Sequence, residues 1–328
     1  MLSVALCTYN GEKYIVEQLD SIAGQSLAVD EVVICDDVST DNTIKLIQDY
    51  TITAPYNIRL FRNEINLGSN RNFEKALSLC NGDIIFLCDQ DDVWMPHKVA
   101  TIKNYIDNNP AKNVVFTNAF IVNEQLEIQS DLWDFMEFNE NAREQWNNGH
   151  SFVHLVEKSN CVTGATMALK KEMLPKLLPI DTMNHWIHDG IIALKASINN
   201  EIGFINDKLV LYRQHSNQQM GVVKEKPTFK VISDKIKSLR WIKKDLELET
   251  QLQDLLQIQR WISIDDRHAD FLQQRIRHLE KRKRMSEKNL VLKFFPVMKE
   301  WISGNYKKSL NFRSSKTWTY VIKDLIGA

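Results

Sequence analysis

Ile84-Ile85-Phe86-Leu87-Cys88 runs directly into Asp89-Gln90-Asp91-Asp92, so three carboxylates appear where a five-residue apolar run stops. A run of strand length without alternation predicts a strand buried on both faces, the habit of parallel sheets covered by helices. The charges then lie at the strand's carboxyl end, where open α/β sheets bind their ligands. Val32-Val33-Ile34-Cys35 runs into Asp36-Asp37 in the same way. Carboxylates gathered at neighbouring strand ends repel one another unless a cation or a hydrogen-bonding ligand joins them. A divalent ion carrying a phosphate is the simplest candidate, because carboxylate oxygens suit magnesium (Mg2+) or manganese (Mn2+).

Working outward, strand-like runs at 3–7, 31–35, 58–61, 83–88 and 114–117 alternate with helix-like segments from Tyr14, Asp41, Asn72 and His97. This βαβα order predicts an α/β fold, a Rossmann-like and mostly parallel sheet flanked by helices. Residues 124–160 show no clear period and are expected to form an irregular or short-helical insertion, suited to a lid or an acceptor-facing loop. Leu209-Val210-Leu211-Tyr212 reads as a late edge strand. Beyond Lys224 the apolar spacing becomes helical, at Leu248, Leu252, Leu255 and Ile262 and again at Leu272, Ile276 and Leu279. The expected division is 1–224 for the α/β domain and 225–328 for a mainly helical C-terminal region.

Hydrophobic residues at 44% and charged residues at 25% are ordinary for a soluble globular chain and argue against disorder. The net charge of −1 hides an asymmetry: residues 221–328 carry 24 Lys and Arg against 13 Asp and Glu. Cys7, Cys35, Cys80, Cys88 and Cys161 include no C-x-x-C pair and read as reduced, buried small hydrophobes. The first residues read as a strand and not as a signal peptide, and no apolar stretch approaches the roughly 20 residues a membrane helix needs. The expectation is a cytoplasmic protein.

In order along the chain stand Thr8-Tyr9-Asn10, Asp36-Asp37, Asn66-Leu67-Gly68, Arg71-Asn72, Gly82-Asp83, Asp89-Gln90-Asp91-Asp92, Thr163-Gly164-Ala165, His188-Asp189 and Tyr212-Arg213-Gln214-His215. Together these resemble family-2 glycosyltransferases, in look closest to rhamnosyltransferase-like enzymes of bacterial surface polysaccharides, over about the first 220 residues. The resemblance implies the GT-A fold and transfer, with inversion, from a UDP- or dTDP-sugar to a hydroxyl of a glycan, lipid-linked or glycoprotein acceptor. It implies a nucleotide role for Thr8, Tyr9, Asn10 and Asp36, and Arg71 on the diphosphate, where a surface salt bridge is the competing reading. Asn66 and Gly68 shape a loop where backbone turns sharply. Asp89-Gln90-Asp91-Asp92 looks like the DXD element, with Asp89 near the ribose, Asp91 and His215 on the metal, and Asp92 beside the acceptor site or orienting its neighbours. Thr163-Gly164-Ala165 looks like the acceptor-side strand, and Asp189 the general base. Trp186 either stacks on a sugar or packs in the core. His188-Asp189 stands where much of the family has Glu-Asp, and Gly190-Ile191 follows where the rhamnosyltransferase-like subset usually has two tryptophans, which leaves the sugar open.

Other classes fit less of the chain. A receiver-like signalling module accounts only for Asp36-Asp37, a nucleotidyltransferase needs a glycine-rich phosphate loop that Thr8-Tyr9-Asn10-Gly11 lacks, and a non-catalytic sugar-nucleotide-binding partner leaves Asp91 and Asp189 without purpose. In the C-terminal region, Arg275, Arg277, Lys281, Arg282, Lys283, Arg284 and Lys288 cluster, and Phe294, Phe295, Trp301, Tyr306, Phe312 and Trp318 interleave with Lys293, Lys299, Lys307, Lys308, Arg313 and Lys316. No nucleic-acid recognition motif accompanies them. The mixture is expected to dock the protein peripherally on the inner face of an anionic membrane or to build a homo-oligomer, with a solvated helix face as the plain alternative.

Overall fold

The computed structural model describes residues 1–158, 160–215, 242–264, 266–286, 290–303, 321 and 324. The chain divides into two compact units, one of residues 1–151, 160–182 and 186–222, the other of 152–159, 183–185 and 223–328.

In the first unit β1 (Leu2–Thr8), β2 (Glu31–Asp36), β3 (Asn57–Arg62) and β4 (Ile84–Asp89) are joined by α1 (Ile15–Ala23), α2 (Thr43–Thr51) and α3 (Gly68–Leu79). These strands pair in parallel with β1 central between β2 and β4. Every residue of β2 is buried, as is all of β4 but its last carboxylate, which is why neither shows alternation. Helix α1 buries Ile15, Gln18, Leu19 and Ile22, a helical stripe laid on the sheet.

After β4 come β5 (Val93–Trp94), α4 (Lys98–Asn108), β6 (Val114–Val122), β7 (Ile128–Asp131), α5 (Leu132–Phe135), α6 (Glu140–Asn147), α7 (Ser151–Lys158), β8 (Met167–Lys170), α8 (Leu174–Leu177), α9 (His188–Ile198) and β9 (Ile202–Arg213). The strand order is β3-β2-β1-β4-β8-β6-β9-β5, with β7 on β6. Strand β8 runs antiparallel to both β4 and β6, so the sheet is mixed.

Three expectations are corrected. Leu209–Tyr212 is no edge: it belongs to the longer β9, which has β6 on one side and β5 on the other. Thr163-Gly164-Ala165 is not a strand but the approach to a single 3₁₀ turn, Gly164–Thr166, ahead of β8. The segment 124–160 is a strand and three short helices, and Trp133, Phe138 and Trp146 are at most 3% exposed. Trp133 meets Phe138 edge to face at 4.9 Å, so this part of the insertion is core and not lid.

The second unit contains α10 (Ile242–Gln259), α11 (Ala269–Ser286) and α12 (Leu290–Ile302). Leu248, Leu255 and Ile258 are buried on α10 and Leu272, Ile276 and Leu279 on α11, while Ile262 lies past the end of α10. The basic run on α11 is only partly a solvated face, with Lys281 and Arg284 exposed. Arg275 and Arg282 are buried; Arg282 grips Asp324 with Nε at 2.8 Å and Nη2 at 3.3 Å. Lys281 meets Glu300 at 2.9 Å and Lys283 meets Glu249 at 3.3 Å, which neutralises charge the membrane reading counted as free. Arg277 is exposed, Lys288 and residues 304–320 fall outside the described residues, and Trp301 packs with Met285, Val297 and Val321. No described helix is long and apolar enough to cross a membrane.

One backbone feature stands out beside the acidic end of β2: Val38 has φ +67°. A β-branched residue in the left-handed region is strained by about 1–3 kcal/mol and persists only where its surroundings over-determine it. Asn tolerates that region. Val38→Asn is therefore expected to raise the thermal midpoint by roughly 2–4 °C, the shift that about 1 kcal/mol gives in a domain of this size. An unchanged or lowered midpoint in differential scanning calorimetry would refute the strain.

Candidate active site

The sheet registers Thr8 beside Asp36 and Cys7 beside Asp89, so the two acidic strand ends flank the end of β1. Asp36 is fully buried and accepts from the Thr8 hydroxyl at 2.9 Å, the Ser39 amide at 2.9 Å and the Ser39 hydroxyl at 2.5 Å. Asp37 accepts from the Asn63 side chain at 2.8 Å, the Leu67 amide at 2.7 Å and the Gly68 amide at 2.8 Å. It thereby folds the Asn66-Leu67-Gly68 loop, in which Gly68 takes φ +74° and the Asn66 side-chain Nδ2 donates to the Asp37 carbonyl. Tyr9 is clamped by Gln90 through its N–H at 2.8 Å and its carbonyl at 2.9 Å, which leaves a held but half-exposed ring. Asn10 ties the same turn to Ser39 and Thr40 at 2.8 Å each.

At the end of β4, His215 Nε2 lies 2.8 Å from Asp91 Oδ2. Asp92 Oδ1 accepts from the Arg213 amide at 2.9 Å, while its buried Oδ2 has no hydrogen-bond partner among the described residues. Burial pushes the Asp89 carboxyl up to about 7, reinforced by the charges of Asp91 and Asp189. Asp92 is raised well above its ordinary value by burial and by the charges of Asp91 and Asp89. Two buried basic side chains lie beside this crowding. Arg213, 2% exposed, donates from Nε to the Asp91 carbonyl at 2.8 Å and from Nη1 to the Glu124 carbonyl at 2.7 Å, and pairs with Glu17. Lys98 is fully buried, 3.7 Å from the Trp94 ring centre, and burial pushes its amine down to about 7 against the pull of Cys88, Asp92 and Asp89.

Asp189 stands in the first turn of α9, a helix buried on nearly every face. Its carboxylate accepts from the Gly164 amide at 3.1 Å, the Asn160 side chain at 3.1 Å and the Gly190 amide at 2.5 Å. Burial nevertheless pushes it up to about 6, with those three donors pulling the other way. His188 stacks on Phe73 with ring centres 4.0 Å apart, and its Nδ1 lies 3.2 Å from the Ser69 hydroxyl. Burial holds it down to about 3, so the ring is neutral, and its Nε2 has no partner among the described residues. A Cβ on Gly164 would come within 2.6 Å of that Nε2, which is why the turn holding Asp189 carries glycine there.

Other expected residues stand differently. Arg71 pairs with Glu74 at 2.6 Å, the competing surface ion pair. Trp186 is 9% exposed, in the core rather than open to a sugar. Among the described residues no group of three or more His, Cys, Asp or Glu is arranged to hold a metal ion.

Comparison with known proteins locates this arrangement. The family model for glycosyl transferase family 2 matches residues 3–160. The dTDP-rhamnosyl transferase RfbG of Shigella flexneri is 31% identical over 227 residues, covering 66% of this chain and 73% of RfbG. The chain belongs to glycosyl transferase family 2. An uncharacterised protein of Mycobacterium tuberculosis is 27% identical over 222 residues, covering 66% of this chain and 59% of that protein, so the chain spans less than two thirds of it. Residues 1–349 of TarS from S. aureus, crystallised with UDP-GlcNAc, share 17% identity with a TM-score of 0.55, covering 99% of this chain and 80% of that one. The fold is GT-A.

Several groups that build this family-2 site escape a sequence reading. Ser39 and Asn160 are single polar residues in loops, and Lys98 reads as a surface lysine at a helix start. Arg213 sits inside a recognisable segment, but its burial rests on Glu17 and Glu124, both far away in sequence.

Proposed function

We propose that the protein is an inverting glycosyltransferase that moves a sugar from a nucleoside-diphosphate donor to a hydroxyl of a glycan, lipid-linked or glycoprotein acceptor. The observation that carries this reading is the meeting of two charge systems at one end of the sheet. Asp189, suited to take a proton, lies near enough to Asp89 for its charge to raise that carboxyl.

The held ring of Tyr9 offers a face for a pyrimidine base. Asp36 uses three of about four acceptor positions on its own chain, which leaves room for one N–H from that base. A dTDP-sugar is the first donor to test, given the likeness to RfbG. Asp91 and His215 already converge, and a carboxylate oxygen with an imidazole nitrogen suits Mn2+ or Mg2+. Two protein ligands are few, but sites of this kind are completed by substrate phosphates and water. Held there, the ion would offset charge on the departing diphosphate.

Asp189 removes the proton of the acceptor hydroxyl as its oxygen attacks the anomeric carbon. The bond to the diphosphate breaks on the opposite face, so the anomeric centre inverts. A base at about 6 is ionised at neutral pH yet still basic enough to hold a proton. The buried Asp189 is active as the anion, so kcat should fall as pH drops through about 6. Asp189→Asn is expected to lower kcat by at least about 100-fold while leaving calorimetric donor binding nearly unchanged, because the lost proton acceptor acts only in the transition state. Near-normal turnover would move the base elsewhere.

Removal of the metal separates the other half of the site. EDTA and Asp91→Asn are each expected to weaken nucleoside-diphosphate binding by at least about tenfold in calorimetry, the loss of one charge-assisted contact. Unchanged affinity in both would overturn the metal assignment.

A further inference from the structure

Lys98 is a wholly buried basic group near the site that the proposed reaction does not use. A wholly buried lysine is rare unless its ammonium is paired or bonded. Its Nζ donates to the carbonyl of Ala165 at 2.7 Å. Ala165 follows Gly164, whose N–H donates to Asp189 Oδ2 at 3.1 Å. The 3₁₀ turn Gly164–Thr166 is thus held at two successive residues, by an amine from α4 on one carbonyl and by the carboxylate on α9 through one amide.

We propose that Lys98 is a positioning residue for transfer: its buried amine fixes the Gly164–Ala165 backbone and through it the carboxylate of Asp189. This rests on reading Asp189 as the general base. The amine donates to a carbonyl whether or not it carries its third proton, so the clamp does not depend on its charge. Its stem starts α4, and the ring of Trp94 beneath it limits where the amine can go. The titratable neighbours that act on Lys98 are Cys88, Asp92 and Asp89, all at the end of β4. Asp189 faces the Gly164 and Gly190 amides and the Asn160 side chain, with the Asp89 carboxyl close enough to feel its charge.

Loss of the clamp has a signature that general destabilisation lacks. The Gly164 N–H favours the ionised form of Asp189. If the turn slackens and that bond weakens, the base rises further and the acid limb of kcat moves up, by about one pH unit for one hydrogen bond to a charge. Misplacement of the base also lowers kcat by about 30- to 100-fold while the donor still binds.

The test compares full-length wild type, Lys98→Met, Lys98→Arg and Asp189→Asn by calorimetric donor titration with dTDP and UDP and by pH–rate profiles of kcat. Lys98→Met is expected to keep nucleotide affinity within about threefold, lose about 30- to 100-fold in kcat and move the acid limb upward. Lys98→Arg, which keeps a donor but not its position, should fall between. A Lys98→Met enzyme with near-normal kcat, or with reduced kcat and an unmoved acid limb, overturns the proposal. If Lys98→Met does not fold, the same two criteria apply to Lys98→Arg. Loss of turnover in Asp189→Asn together with an unaffected Lys98→Met defeats the positioning role alone, whereas near-normal Asp189→Asn defeats the base reading and this inference with it.

Discussion

Repulsion between carboxylates at the ends of parallel strands is the constraint on which the site depends. Asp36, Asp37, Asp89, Asp91 and Asp92 are brought together by the register of β2, β1 and β4, where little water screens them. Two solutions divide them. Asp36 and Asp37 take most of their hydrogen bonds from hydroxyls and amides of the adjoining loops, so their charge organises backbone, with one acceptor position of Asp36 left over. The β4 group is left under-compensated: Asp92 has an unpartnered oxygen and Asp89 is pushed up to about 7. Lys98 offsets part of the charge of Asp89 and Asp92 from inside the protein, the Arg213 amide bonds one Asp92 oxygen, and what remains is the attraction a cation-bearing diphosphate would satisfy.

The apolar core makes this crowding tolerable. Strands β1, β2 and β4 contribute Val4, Leu6, Val32, Ile34 and Phe86 to one contiguous cluster, and α9 is buried along almost its whole length. A helix fixed that firmly presents its first turn as a rigid mount. Asp189 is therefore positioned by packing as much as by its hydrogen bonds, and the same burial that fixes it raises it toward neutrality.

How much of this was legible in sequence follows from where the signal lay. β1, β2 and β4 were visible because burial on both faces leaves continuous apolar runs, and the carboxylates because they interrupt those runs. β5, β7 and β8, with two to four residues, are too short for any period to appear, and without these antiparallel strands the sheet reads as parallel. The middle of β9, residues 204–208, is half exposed, so only its buried end around Leu209 stood out, and it looked like an edge. Charge misled twice. Lys98 and Arg213 are cations whose anionic or carbonyl partners are distant in sequence. Arg275 and Arg282 lie seven residues apart on one face of α11, beside Leu272, Ile276 and Leu279, and turn inward because Asp324 and Glu157 wait there.

The most direct test of the account is to look for the proposed cation. Crystals of the full-length protein grown with manganese and a nucleoside diphosphate, measured at the manganese absorption edge, should give one anomalous peak within bonding distance of Asp91 Oδ2, His215 Nε2 and the diphosphate. A bound nucleotide with no peak there, or a peak ligated by other residues, would contradict it.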